Sequence, residues 1–302
     1  LSDKAIKIAR KLEEEHTRQL PLKFTPSWSE DKRAMSKNLA RTALFTVRKK
    51  GAPRERYDKT LLASMEGIEL RYSGWQLDQD DHSVFMQLCH LARDENIGDE
   101  VHITGAQALN GLRWSDSEED YARLRSCYER LLEGTVWLTV SSSVKRAFMK
   151  LHGSHLFSSV DADTANSADI DSTATRWTIK LNPDLANILC GNETTLIKWA
   201  AEKKLSPLAN WLHRFFATHD TTEEPAVFKA ETLHRLCGSR QMNMATWRQA
   251  LKRALVEVEE VGFFKSQSMG PRPSWNVTVV NKTLKEIDVD PRWKRDIHRI
   301  GA

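Results

Sequence analysis

The chain has 302 residues, with 45 Lys+Arg against 41 Asp+Glu and a formal net charge of +4. At 40% hydrophobic residues, with 10 Trp and 10 Phe, it can fill packed cores, which excludes chain-wide disorder. No run of about 18 apolar residues occurs, which excludes a membrane-spanning helix, and the length suits two globular units plus extensions.

Residues 3–20 place Ile6, Ala9, Leu12, His16 and Leu20 at helical spacing, and Pro21 ends the pattern. Residues 32–59 then hold ten Lys/Arg against Glu55 and Asp58, a local charge of +8, so the rest of the chain sums to −4. Such density predicts an arm that follows phosphates, with Arg48, Lys49 and Lys50 as its densest part. Within it, Leu44 and Phe45 form an apolar step with two readings. They either anchor the segment on a neighbouring domain or enter a partner's apolar pocket.

From residue 79 a pattern appears and then recurs. In the first copy, Val84, Phe85, Leu88 and Leu91 mark a helix, 101–103 is extended, and Thr104 caps a helix carrying Ala108, Leu109 and Leu112. Ser117 and Asp120 start a longer helix with Tyr121, Leu124, Tyr128 and Leu131 inward. It stops at Gly134, before strand candidates at 135–140 and 176–181. The second copy begins with Leu196, Trp199 and Ala200 on one helix and Leu208, Trp211 and Phe215 on the next. A short helix at 228–236 follows, then a turn at 238–243. A long helix carries Met244, Trp247, Leu251, Leu255 and Val258 up to Gly262, with strand candidates at 263–266 and 275–280. The expected fold class is therefore helix-rich α+β: two tandem winged-helix domains (61–190 and 191–281), an N-terminal helix and basic arm (1–60) and a tail (282–302).

At about 100° per residue, the apolar stripe of the second long helix leaves Thr246, Gln249 and Arg253 pointing away from the core, flanked by Lys252 and Asn243. Gln suits adenine and Arg suits guanine edges in a major groove. Arg240 in the turn and Lys265 and Arg272 in the wing add phosphate-binding charge. The first copy offers Arg123 and Arg130 on its long helix, beside Glu119, and Lys145 and Arg146 after its first strand. Its loop 161–175 carries four Asp and no cation, so it is expected to face solvent or protein.

Chemistry-bearing motifs do not appear. Cys89, Cys127, Cys190 and Cys237 lie 38, 63 and 47 residues apart, without metal-ligand spacing, as in a reducing compartment. There is no phosphate loop, H-E-x-x-H helix or G-x-S-x-G elbow, so no catalytic residue, metal or cofactor is expected. Of the tryptophans, Trp137, Trp177, Trp199, Trp211, Trp247 and Trp275 read as core. Trp28, Trp75, Trp114 and Trp293 fall in loop-like sequence.

Three separated segments, Asn38 to Thr46 (NLARTALFT), Val84 to Leu91 (VFMQLCHL) and Asp120 to Leu132 (DYARLRSCYERLL), resemble the TrfA family of plasmid replication initiators. The resemblance implies winged-helix domains that bind direct repeats at a plasmid origin in the bacterial cytoplasm. It further implies opening of adjacent A+T-rich DNA, contact with the exposed single strand, and recruitment of the host replicative helicase and sliding clamp. Monomers would be active and dimers inactive. By the same resemblance Leu44 and Phe45 take the clamp-docking position, although Arg41 and Thr42 stand where Gln and Leu are usual, implying weak or context-dependent clamp affinity. The competing reading is a sequence-specific repressor with the same two domains and no origin-opening activity.

Overall fold

The computed structural model describes residues 23–24, 27–141, 148–162, 176–190, 193–202, 205–221, 224–262, 264–270 and 275–281. The expected N-terminal helix, the tail 282–302, most of the acidic loop, Trp293, and Lys145, Arg146 and Arg272 lie outside these residues.

The segment expected as a free arm is folded. Strand β1 (Lys32–Ser36) pairs antiparallel with β11 (Thr194–Lys198), and β2 (Phe45–Thr46) pairs parallel with β5 (Leu77–Asp78). The reason is the apolar residues set between the cations: Ala34, Met35, Leu39, Ala43, Leu44 and Phe45 are all buried. Arg33 is buried with them, and Arg41 is partly buried. Arg33 donates to Gln87 Oε1 (2.8 Å) and lies over the Trp199 ring, and burial pulls its pKa down to about 10. Arg41 donates to Thr218 Oγ1 (3.0 Å). Leu44 is 1% and Phe45 2% exposed, and Phe45 stacks on His82 at 4.2 Å between ring centroids. Of the two readings of this pair, the folded chain realises the anchor; a docking motif would have to be pulled out of the core.

The helices follow their capping chemistry. Helix α1 (Gln79–Leu91) starts at Asp78, whose side chain accepts from the Asp80 and Asp81 amides while Asp81 closes the capping box. Strand β6 (Glu100–Thr104) leads through the Thr104–Gln107 capping box into α2 (Gly105–Leu112). Ser117 caps α3 (Glu118–Glu133) by accepting from the Asp120 amide, and Tyr121, Leu124, Tyr128 and Leu131 face inward as the spacing predicts.

The strands after α3 differ from the expectation of one wing. Strand β7 (Thr135–Ser141) joins a four-stranded antiparallel sheet in the order β3–β4–β7–β8, with β3 at Arg56–Leu62, β4 at Ile68–Trp75 and β8 at Phe148–His155. Buried Leu70 and Tyr72 on β4 sit opposite Leu138 and Val136, which gives β7 its apolar partners. The other predicted strand, β10 (Arg176–Leu181), lies between β6 and β9 (Phe157–Ala162) in a separate antiparallel sheet.

The second unit repeats this order without the inserted hairpin. Leu196 lies on β11 rather than on a helix. Helix α4 (Pro207–Ala217) is followed by β12 (Ala226–Lys229), α5 (Ala230–Leu236), α6 (Met244–Val261), β13 (Phe264–Met269) and β14 (Asn276–Asn281). Residues 228–229, expected as helix, end β12, which pairs with β14. Both three-stranded sheets share one arrangement: the strand before the short helix pairs with the last strand, which pairs with the one before it. The apolar cores are separate as well, one spanning Phe24 to Trp199 and the other Ala201 to Val279. Among the described residues no helix is long and apolar enough to cross a membrane.

A buried polar clamp joins the units. Arg214 of α4, 1% exposed, donates to Glu202 (2.7 Å), to the side chain and carbonyl of Gln79 (2.9 and 3.2 Å) and to Ser83 Oγ (2.7 Å), the last two residues on α1. Burial penalises the Glu202 carboxylate, but Arg214 and His213 hold its pKa below the usual value.

Truncating Phe45 to Ala removes a fully packed ring and should cost about 3–5 kcal/mol, measured by urea denaturation. A loss under about 1 kcal/mol would mean the segment is not part of the core.

Candidate nucleic-acid interface

Helix α6 presents the face that its periodicity predicts. Trp247, Leu251, Ala254, Leu255 and Val258 are buried, while Thr246, Gln249, Lys252 and Arg253 are exposed. Trp247 fixes the rotation of the helix by donating from its indole to the Ala230 carbonyl (3.3 Å). Asn243 is the N-cap: its side-chain oxygen accepts from the Ala245 (2.9 Å) and Thr246 (3.1 Å) amides. That oxygen holds the helix end, so a base contact from the exposed Asn243 would fall to its side-chain amide NH2. Trp275, expected in the core, is only partly buried and lies under Arg248 and Lys252, at 5.1 and 5.2 Å from its centroid. Lys252 thus covers an aromatic face as well as carrying charge.

The basic triplet at 48–50 lies beside this helix, although α6 begins only at Met244. Val47 N–H donates to the Cys237 carbonyl (2.7 Å) at the end of α5. Gly238 opens the α5–α6 turn at φ +63°, and a Cβ there would come within 2.6 Å of Thr46 Cγ2. Only glycine accepts both the conformation and the approach. From this junction Lys49 and Lys50 extend exposed into solvent, whereas Arg48 is held by Asp78 (3.3 Å) and the Ala52 carbonyl. Together Arg48, Lys49, Lys50, Arg240, Thr246 and Ala250 help line one cleft of about 660 Å³. Arg240, in the turn, pairs with Glu55. The residues expected to act as an arm and those expected to read sequence thus belong to one surface.

The first unit behaves differently. Arg130 is bound to the buried Asp81 (2.8 Å), which Arg54 also approaches (3.2 Å). Burial, and then the neighbouring Asp78, push the Asp81 pKa up to about 6. Arg123 pairs with Asp80 (2.7 Å) and lies over the Trp114 ring at 3.9 Å. Both arginines are engaged by protein carboxylates, and Arg123 stays 43% exposed, so any contact with DNA from Arg130 would compete with Asp81. They line a second cleft, of about 390 Å³, together with Arg48, Lys50, Arg54 and Glu119. Arg48 and Lys50 are shared between the two clefts, so the basic loop lies between α3 and α6. Lys265 falls on β13.

Two contributors escaped sequence reasoning. Glu55 was counted only as a minor acid of the arm, and it holds Arg240. Met242, in the turn, is 91% exposed and had no assigned role. Among the described residues no group of three or more His, Cys, Asp or Glu side chains could hold a metal ion.

The family model described as TrfA protein matches residues 5–270. The chain belongs to the TrfA family. It is 27% identical over 246 residues to the Plasmid replication initiator protein TrfA of Escherichia coli, an alignment covering 81% of this chain and 61% of that protein. The chain thus spans about three-fifths of the length of this relative. Crystal structures of domains 2 and 3 of RctB share its fold at 12% identity. One, with a TM-score of 0.58, covers 82% of this chain and 98% of its own; the other, at 0.55, covers 83% and 99%.

Charge and sequence reading should separate in binding assays. Lys49→Gln with Lys50→Gln should weaken binding to every duplex and reduce the slope of log K against log salt by about two. Gln249→Ala or Arg253→Ala should instead cost about 1–3 kcal/mol on the preferred duplex and little on random DNA. Equal losses on both duplexes would remove the base-reading role.

Proposed function

We propose that this TrfA-family chain initiates plasmid replication by binding direct repeats at an origin. In this reading each helix–strand–helix–helix–strand–strand unit is a winged helix, and α6 enters a major groove N-terminus first. The observation that carries it is the cleft in which Lys49, Lys50 and Arg240 meet the exposed end of α6. Cations there neutralise phosphates on either side of a helix whose outward residues suit base edges. The positive end of the helix dipole favours the same approach. Support for initiation in particular comes from the family and from the named function of the Escherichia coli relative.

The chain works in the bacterial cytoplasm by binding and recruitment, and its own residues supply no catalytic step. Bound repeats allow adjacent A+T-rich DNA to open, and the replicative helicase and sliding clamp are then recruited; self-association withdraws the chain from this work. Clamp docking through Leu44 and Phe45 requires residues 42–47 to leave the core, so clamp affinity is coupled to local unfolding. That coupling opposes tight constitutive docking.

Permanganate footprinting on a supercoiled origin tests the reading. Initiation predicts reactive thymines beside the repeats only when the chain is present. Repeats that are bound while the neighbouring duplex stays paired would overturn initiation and leave a repressor.

A further inference from the structure

The turn that precedes α6 carries an exposed apolar side chain next to the Arg240 and Gln241 edge of the cleft. Met242 is 91% exposed, and it sits one residue before the N-cap of α6. The turn around it is fixed by its own hydrogen bonds. The Gln241 carbonyl is tied to His234 Nε2 (3.0 Å), and the Gln241 side-chain oxygen accepts from the Asn243 amide (3.1 Å). The Gln241 amide in turn donates to Ser239 Oγ (3.3 Å), and the Asn243 side-chain oxygen caps α6. The Gln241 carbonyl and the Gln241 and Asn243 side-chain oxygens are thus engaged within the turn. A flexible thioether is left at its outermost position.

The cations of the cleft, Lys49, Lys50 and Arg240, lie around the same end of α6. A duplex held by these charges presents few apolar groups to a side chain at the helix tip. In the major groove the apolar group of a base is the C5-methyl of thymine. Methionine suits such a contact because its unbranched, polarisable side chain adapts to a small apolar target. Its exposure in the free protein means that burial against a methyl is gained only on binding.

The geometry points to Met242 as a specificity-determining residue that packs its side chain against a thymine C5-methyl at one position of the recognised repeat. This rests on the reading that α6 enters the major groove, and it adds an apolar contact to the polar ones assigned to Gln249 and Arg253.

The test uses the full chain and a duplex selected by it from a random library. Each thymine in that duplex is replaced singly by deoxyuridine, which removes only the methyl. Wild-type protein should lose about three- to five-fold in affinity at one position, the value of one buried methyl. Met242→Ala should bind the all-thymine duplex about as weakly as wild type binds that deoxyuridine duplex, and should no longer respond to the replacement. Met242→Leu should retain the response. Its exposure makes loss of folding in either variant unexpected, and an unchanged melting temperature checks this. Specific binding in which no single deoxyuridine matters, or in which Met242→Ala keeps the full wild-type penalty, overturns the contact and leaves the major-groove reading standing. A wild-type chain that selects no duplex overturns that reading, and the contact with it.

Discussion

A buried guanidinium sets the geometry of this protein. Arg214 belongs to the second unit, yet its partners Gln79 and Ser83 are on the first helix of the first unit, with Glu202 completing the set. An ion pair taken out of water stabilises little by itself, but removing one member leaves an uncompensated buried charge at a cost of about 3–5 kcal/mol. Such an arrangement therefore disfavours other packings of α4 on α1 more than it strengthens this one. With the units held in this register, the 47–53 loop lies against the α5–α6 turn. The Val47–Cys237 hydrogen bond and the approach of Gly238 to Thr46 complete the junction.

The charge of residues 32–59 is divided by this geometry into two populations. Arg33, Arg41, Arg48 and Arg54 are turned inward or held by carboxylates and carbonyls, and they act as struts. Lys49 and Lys50 remain exposed at the cleft. The difference follows side-chain chemistry: the planar guanidinium satisfies several acceptors at once, whereas the compact ammonium keeps its hydration more readily. Long-range attraction for a polyanion thus rests on a few exposed lysines beside α6. The +8 of the segment overstates what a duplex would meet.

Much of the helical structure was legible because its signals are local. Caps at Thr104 and Ser117, stops at Gly134 and Gly262, and apolar spacing within each helix identify α2, α3 and α6 and the outward face of α6, while the Asn243 cap was missed. The strands were less legible. Strand β3 contains a register shift between Tyr57 and Thr60 that breaks its alternation, and β4 carries Glu69 and Arg71. The basic segment misled because density of charge says nothing about partners. Arg41 meets Thr218 from 177 residues away and Arg214 meets Gln79 from 135. Arg123 and Arg130 were read as outward by phase; Arg123 is exposed, whereas Arg130 is largely covered, because phase could not supply Asp80 and Asp81 on α1 beside them.

In the proposed function the 47–53 loop and the N-terminal half of α6 form one DNA-binding surface, while Arg123 and Arg130 of α3 are engaged by protein carboxylates. Amide hydrogen exchange of the full chain, with and without its selected duplex, tests this directly. The duplex should protect residues 47–53 and 239–253 together, with 119–130 unchanged. Protection of 119–130 with no change at 47–53 would contradict it.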